Sequence, residues 1–232
     1  AMLASGFLSV LIELTAFRKL RTSGEVEFGA IISSIGAALV VMTIAQRISD
    51  TQVMRFPFDT MPIVIYEFLG LRVSLLQLVM AALAVVLVAA ITAYLYRTPF
   101  GRRIRAIAGN ERAAVLSGVN PNHVYFQTFF ASGALAGAAG VLVGLAFNSI
   151  HFLMGEPFLL RGFVVIILGG LGSIPGALMA GLLLGLIQTM TVAYLPSGLT
   201  DAIIFSLLFL ILLVRPHGLL GKPEAGAMRG RA

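Results

Sequence analysis

Long uncharged apolar stretches dominate the chain. No Asp, Glu, Lys or Arg occurs in residues 73–96, 113–155 or 162–200. Each stretch exceeds the roughly 20 residues that an α-helix needs to cross the hydrocarbon of a bilayer, and the last two can hold more than one element. The apolar runs are continuous, without the alternation that marks the strands of an outer-membrane barrel. The pattern predicts an all-α integral membrane protein.

Interruptions of the apolar pattern divide the chain into a polytopic bundle of about six to seven transmembrane helices. We place the spans at residues 1–17, 28–48, 73–96, 123–147, 158–171, 176–194 and 199–214. The first stretch has no basic leader and no cleavage site, so it is typical of a helix already under way, and we expect further sequence before residue 1. No linker or internal repeat is evident, which predicts one membrane domain over residues 1–232.

The segment between Asp50 and Arg72 is too interrupted to span a membrane, and we expect it to lie outside, as a small hairpin. Its interrupting residues are Pro57, Asp59, Pro62 and Glu67.

The basic residues predict the orientation of the chain. If successive spans alternate in direction, one side receives twelve of the sixteen basic residues: Arg18, Lys19, Arg21, Arg97, Arg102, Arg103, Arg105, Arg112, Arg215, Lys222, Arg229 and Arg231. The other side receives Arg47, Arg55, Arg72 and Arg161. The positive-inside rule makes the first side cytoplasmic, with the C-terminus on that side.

The amino-acid composition argues against nucleic-acid binding and against a metal site. Hydrophobic residues make up 59% of the chain and charged residues 11%. The net charge of +6 comes from residues at the ends of apolar runs, so we expect a lipid partner and no nucleic acid. There is no cysteine, and His123, His151 and His217 do not share a helix face, so no metal or cofactor is expected. Glu13 is an acid inside an apolar stretch, which we interpret as lying near a span's end.

A short helix with its own caps is predicted between two spans, at residues 110–118. Asn110 is a good N-cap, Glu111 suits the positive end of a helix, and Gly118 can end the helix in a left-handed conformation. Asn120 and Pro121 then repeat a cap and a first-turn proline at the start of the next span.

This short helix is expected to present Ala113, Ala114, Val115 and Leu116 to the cytoplasm. Small side chains permit close contact with another protein. On physical grounds alone, a linker helix lying on lipid headgroups is the favoured alternative.

Glycines mark two further features. Three pairs at i, i+4 spacing predict close helix packing: Gly133 with Gly137, Gly140 with Gly144, and Gly181 with Gly185. A second group lies in one break: Gly169, Gly170, Gly172, Pro175 and Gly176. Its spacing does not fit a phosphate-binding loop. A hinge between the last spans and a tight turn between two helices remain equally open.

Three motifs together resemble a known family. ERAAVLSGVN at 111–120 resembles the Ala-Ala-x-x-x-Gly loop of permease subunits of ABC importers. With LGGLGSIPGA at 168–177 and LLVRPHGLLGK at 212–222, the chain is similar to permeases of the branched-chain amino acid ABC transporter family. The resemblance covers nearly the whole chain. The family usually has further helices before the position at which this chain begins.

The resemblance implies a non-enzymatic subunit of the bacterial cytoplasmic (inner) membrane that passes branched-chain or related small amino acids inward. Expected partners are two cytoplasmic ATP-binding subunits, a second permease subunit and a periplasmic substrate-binding protein. The coupling helix would comprise Asn110, Glu111, Ala113, Ala114, Leu116 and Gly118. The substrate-binding residues are unknown. The alternatives are the same architecture importing urea, short amides or a simple sugar, an ATP-independent carrier or channel, and a structural scaffold.

Overall fold

A computed structural model describes residues 1–18, 26–56, 65–68, 71–170, 172–215, 218 and 220. The named residues Lys19, Arg21, Pro57, Asp59, Pro62, His217, Lys222, Arg229 and Arg231 lie outside this set. The chain forms two compact units, Ala1–Leu153 and Met154–Ala232. The assignment of one domain stays a prediction.

The first unit contains six helices and a β-hairpin within the described residues. The elements are α1 (Met2–Ile12), which continues as a π-helical turn (Glu13–Phe17), α2 (Val26–Ile48), β1 (Ile65–Phe68), β2 (Leu71–Ser74), α3 (Leu75–Arg97), α4 (Pro99–Gly109), α5 (Glu111–Leu116) and α6 (Pro121–Phe147). The antiparallel hairpin pairs Ile65 with Ser74 and Phe68 with Leu71.

Local chemistry explains where α3 begins. The Ser74 hydroxyl accepts a hydrogen bond from Leu76 N–H at 3.3 Å, and the Gln77 side chain accepts one from Ser74 N–H at 3.1 Å. This capping box satisfies two backbone donors that a helix start would otherwise leave unpaired.

The second unit contains three α-helices within its described residues. They are α7 (Glu156–Gly169), α8 (Ile174–Tyr194) and α9 (Thr200–Val214), and a 3₁₀ turn (Ser197–Leu199) precedes the last. Its core is the apolar cluster of Val164, Leu168, Ala180, Leu184 and Ile204. An ion pair of 3.2 Å between Arg161 and Asp201 joins the starts of α7 and α9.

The all-α membrane fold is confirmed, and each predicted span coincides with a helix to within a few residues. Of the described helices, α3, α6 and α8 are long and apolar enough to cross a membrane, while Met2–Phe17, Ile32–Ile48 and Thr200–Leu213 are shorter apolar helices. With 14 residues, α7 is only about 21 Å long, less than the roughly 30 Å of bilayer hydrocarbon. No described residue of α3 is buried, which fits a helix that faces lipid or another chain.

Helices α1 and α6 pack antiparallel with their backbones in close approach. A Cβ atom built at Gly133 would lie 2.7 Å from the Ser5 carbonyl oxygen, and one built at Gly137 would overlap the Ser5 hydroxyl. Phe7 and Phe130 meet edge to face, with ring centroids 5.7 Å apart. Small residues therefore allow these helices to approach within backbone contact.

The other predicted packing glycines differ in their surroundings. A Cβ at Gly144 would contact Ile150 at 3.2 Å, and one at Gly181 would lie 4.0 Å from Val165. Among the described residues, nothing lies within 4 Å of a Cβ at Gly140 or Gly185. The packing role of all six glycines stays a prediction, and the geometry supports it best at Gly133 and Gly137.

Because Gly133 faces a neighbouring backbone and Gly140 faces open space, replacing each by alanine should have opposite effects on the stability of the protein. Gly133→Ala should lower the free energy of unfolding by about 1 kcal/mol or more, because α1 must move away from α6. Gly140→Ala should be neutral or raise it by roughly 0.5–1 kcal/mol, because alanine favours a helix over glycine. Thermal unfolding of the purified variants in detergent measures both changes. Equal effects at the two positions would contradict the packing argument.

Candidate functional site

A fixed corner joins α3 to α4. The Thr98 hydroxyl accepts a hydrogen bond from Gly101 N–H at 3.1 Å and donates one to the Tyr94 carbonyl at 2.6 Å. Gly101 is buried, and a Cβ there would overlap the Leu95 backbone. The Arg105 guanidinium also donates to the Leu95 carbonyl. These contacts hold the start of α4 against the end of the long helix α3.

Helix α5 begins at a side-chain cap. The Asn110 side chain accepts a hydrogen bond from Ala113 N–H at 3.0 Å, which satisfies one of the free donors of the first turn. Glu111 follows in that turn, where the partial positive charge of the helix favours a carboxylate. Tyr125 donates a hydrogen bond of 3.4 Å to Glu111, which connects α5 to the first turns of α6.

The end of α5 is a Schellman motif. Gly118 has a φ of +83°, a conformation that glycine adopts without strain. Val119 N–H donates to the Ala114 carbonyl at 3.0 Å, and Gly118 N–H donates to the Val115 carbonyl at 2.9 Å, which is the bond pattern of that motif. Asn120 then caps α6 by accepting from Asn122 N–H at 3.1 Å. The short helix therefore has the caps predicted at both of its ends.

The exposed surface of α5 is formed by its large residues. Leu116 is 90% exposed and Val115 46% exposed, whereas Ala114 is only 4% exposed. The expectation that Ala114 faces the cytoplasm is therefore wrong. A helix of six residues has fewer than two turns and thus one inner and one outer face, and Ala114 lies on the inner one. Ala113 is exposed, as expected.

A tight turn joins α7 to α8 in the second unit. Gly170 and Gly172 have φ values of +92° and +81°, which side chains other than glycine rarely adopt. The Ser173 hydroxyl accepts a hydrogen bond from Gly176 N–H at 3.1 Å and so caps α8, with Pro175 in the first turn.

The two helices meet at this turn through their backbones. A Cβ at Gly169 would lie 2.5 Å from Ala177 N, and a Cβ at Gly176 would overlap the Gly169 carbonyl oxygen. No side chain larger than hydrogen fits at either position without a shift of the helices.

Gly218 and Leu220, which follow α9, pack against the same turn. Gly218 is buried, with a φ of +78°, and a Cβ there would lie 2.6 Å from Gly170 N and 2.7 Å from the Ile167 carbonyl oxygen. Leu220 N–H donates a hydrogen bond of 3.3 Å to the Gly169 carbonyl. Three stretches of backbone therefore meet at one point. This arrangement favours the tight turn over the hinge, because a hinge needs freedom in φ and ψ that these contacts remove.

Comparison with known proteins identifies the family of this chain. Residues 1–213 match the family model described as branched-chain amino acid transport system / permease component. The chain belongs to this family. The resemblance drawn from the three motifs is therefore confirmed, and the protein is a transport permease component.

Individual relatives of the permease show how far the similarity extends. The Escherichia coli K12 high-affinity branched-chain amino acid transport system permease protein LivH is 32% identical over 96% of this chain and 76% of its own length. The Pseudomonas aeruginosa protein BraD, of the same description, is 31% identical over 92% of this chain and 70% of its own length. The Bacillus subtilis ribose import permease protein RbsC is 32% identical, but over 51% of this chain and 37% of its own length. No solved structure matches the permease.

The sequence predicts the permease's capped helix and its glycine-rich turn but not the surroundings of three residues. Leu116 is among the predicted coupling residues, but no local pattern indicates that its side chain is 90% exposed. Gly218 belongs to the motif at 212–222, but nothing local in the sequence indicates its contact with Gly170. Glu13 lies near the end of the first apolar helix, Met2–Phe17, as expected, and the structure adds that it is buried, at 2% exposed. The described part of the chain contains no group of three or more His, Cys, Asp or Glu that could hold a metal.

Proposed function

We propose that this permease is a membrane-spanning subunit of an ATP-driven importer of branched-chain or related small amino acids. The observation that carries the proposal is the similarity to branched-chain amino acid permeases over 92–96% of the chain. The sequence contains no Gly-Lys-Ser/Thr phosphate-binding loop, so ATP would be bound and hydrolysed by two separate cytoplasmic subunits. A second permease subunit would complete the pathway, and a periplasmic binding protein would deliver the amino acid.

In this proposal, α5 is the coupling helix that docks on an ATP-binding subunit. Leu116 and Val115 form an exposed apolar contact surface, of the kind that fits a pocket on a partner. The corner at Thr98 joins α3 to α4, which precedes α5 in the chain, and the Schellman motif at the end of α5 leads directly into α6. A displacement of α5 by the ATP-binding subunit would therefore move two membrane-length helices and shift the permease between outward-facing and inward-facing states.

The proposal also predicts how the permease is oriented in the membrane. The arginines of α4 and α5 would face the cytoplasm of a bacterial cell, in agreement with the positive-inside rule. In the second unit, Gly218 lies against Gly170, so the segment after α9 and the α7–α8 turn share one end of that unit. We assign that end to the cytoplasm, together with the C-terminus.

Import of a simple sugar is the second candidate function, because RbsC is as similar in identity as the amino acid permeases. The length of the aligned region supports amino acid import over sugar import. The sugar permease aligns with about half of this chain, whereas the amino acid permeases align with almost all of it. A match that includes nearly every span favours an amino acid.

Reconstituted transport tests the proposal. The permease is placed in lipid vesicles with candidate ATP-binding subunits, a second permease subunit and the binding protein, and uptake of labelled leucine is measured with and without ATP. We expect uptake to require ATP and to be reduced by unlabelled isoleucine or valine but not by ribose. Uptake without ATP would indicate a carrier or channel, and competition by ribose alone would indicate the sugar importer.

A further inference from the structure

A cavity with a mixed polar and apolar lining lies at the contact between α1 and the start of α6. Its volume is about 210 Å³, and it is lined by Glu13, Leu14, Arg18, Asn120, Asn122, His123 and Phe126. Glu13 opens the π-helical turn and is 2% exposed. Short π-helical stretches within α-helices occur frequently at functional sites.

A buried carboxylate is stable only where its surroundings favour the charge. Arg18 supplies a positive charge to the cavity, and the asparagines and His123 supply polar groups. The first turn of α6 contains no acidic residue of its own, although the positive end of a helix favours an anion. Glu13 of α1 supplies a carboxylate beside that end.

The same cavity adjoins the residues that follow α5, the proposed coupling helix. Asn120 caps α6 and lines the cavity, and it follows Val119, whose N–H closes the Schellman motif of α5. A shift of α5 that moves Asn120 would therefore change the surroundings of the buried carboxylate. The free energy of burying the Glu13 side chain would then depend on the positions of α5 and α6.

We propose that Glu13 is a positioning residue that transmits the movement of α5 to α1. When α5 moves the start of α6, α1 follows. The proposal rests on the proposed function, because it assigns Glu13 a part in passing the movement driven by ATP to the membrane helices. It predicts that the charge of Glu13 affects transport per ATP hydrolysed more than it affects assembly.

The first test compares Glu13→Gln with Glu156→Gln in the complete reconstituted transporter. Glutamine keeps the size and most of the hydrogen bonding of the side chain but removes the charge. For Glu13→Gln we expect normal retention of the ATP-binding subunits and continued ATP hydrolysis, with leucine uptake per ATP reduced about fivefold or more, the lower end of typical coupling effects. Glu156→Gln removes an exposed carboxylate of α7 and should leave all three quantities unchanged.

A second test changes the other side of the cavity. Asn120→Asp keeps the side-chain oxygen that caps α6 but places a second negative charge beside Glu13, so it should also reduce uptake per ATP. Asn148→Asp is the matched control, since Asn148 accepts a hydrogen bond from Phe56 N–H far along α6 from the cavity. This test decides the proposal even if Glu13→Gln fails to insert into the membrane.

The outcomes separate this proposal from the proposed function. Normal uptake per ATP in both Glu13→Gln and Asn120→Asp overturns the role of Glu13 while ATP-driven import stands. A parallel loss of assembly, hydrolysis and uptake in Glu13→Gln, with normal Asn120→Asp, assigns Glu13 to folding alone and also overturns the proposal. If the unmodified transporter shows no dependence on ATP, the proposed function fails, and the role of Glu13 fails with it.

Discussion

Replacing Leu116 by Asp should release the ATP-binding subunits from the permease while leaving its membrane helices folded. Leu116 is 90% exposed, so the substitution removes little packing within the described chain. In the proposed complex, the same side chain fills an apolar pocket, where a carboxylate would lie without water or a partner. Loss of a central contact of this kind weakens an interface by about 2 kcal/mol or more, or roughly 30-fold in affinity. Co-purification of the ATP-binding subunits and ATP-dependent leucine uptake both measure the loss.

Leu220→Asp is the matched control for this substitution. Leu220, like Leu116, is an exposed leucine, although only about half of its surface is accessible. We assign it to the same side of the membrane as α5, of which it is not part. It should retain the ATP-binding subunits. If Leu116→Asp retains them equally well, α5 is a linker helix at the lipid surface, and its proposed contact with an ATP-binding subunit is wrong.

Replacing Gly176 by Ala should strongly destabilise the second unit. The added Cβ would overlap the Gly169 carbonyl oxygen, and Gly169 also accepts the hydrogen bond from Leu220. Backbone atoms cannot turn aside as a side chain can, so α7, α8 and the segment after α9 must separate. Forced overpacking costs about 1–3 kcal/mol and occasionally more, which for a chain of this length lowers the unfolding temperature by roughly 2–12 °C. Thermal unfolding of the purified permease in detergent measures the shift.

Gly185→Ala is the control within the same helix. No described residue lies within 4 Å of a Cβ at Gly185, so the substitution should be neutral or slightly stabilising. If Gly176→Ala is tolerated as well as Gly185→Ala, the turn opens readily, and the hinge becomes the better interpretation of the glycine-rich break.

Several features of the permease could be predicted because they depend on residues near one another in the chain. The uncharged stretches required membrane helices, since a bilayer offers no water to unpaired backbone groups. The caps at Asn110 and Gly118 were predictable because a helix cap involves residues three or four positions away. The family resemblance came from three local motifs, and the match over residues 1–213 confirmed it.

Other features depended on pairs of residues that are distant in the sequence. The burial of Ala114 and the exposure of Leu116 follow from the way a helix of six residues lies against its neighbours. The contact of Gly218 with Gly170, and that of Gly137 with Ser5, bring together segments separated by many residues. No local pattern indicates which glycine faces a neighbouring backbone and which faces open space.

The sequence alone therefore determined the class of protein, the approximate spans, the short capped helix at residues 110–118 and the family. Each of these follows from hydrophobicity or from hydrogen bonds between near neighbours. Only the tertiary structure decided which side of α5 is exposed, that Gly218 and Leu220 pack against the glycine-rich turn, and that Glu13 lies in a cavity beside Asn120. These depend on how helices pack, and packing is set by the shapes of surfaces that meet only after the chain has folded.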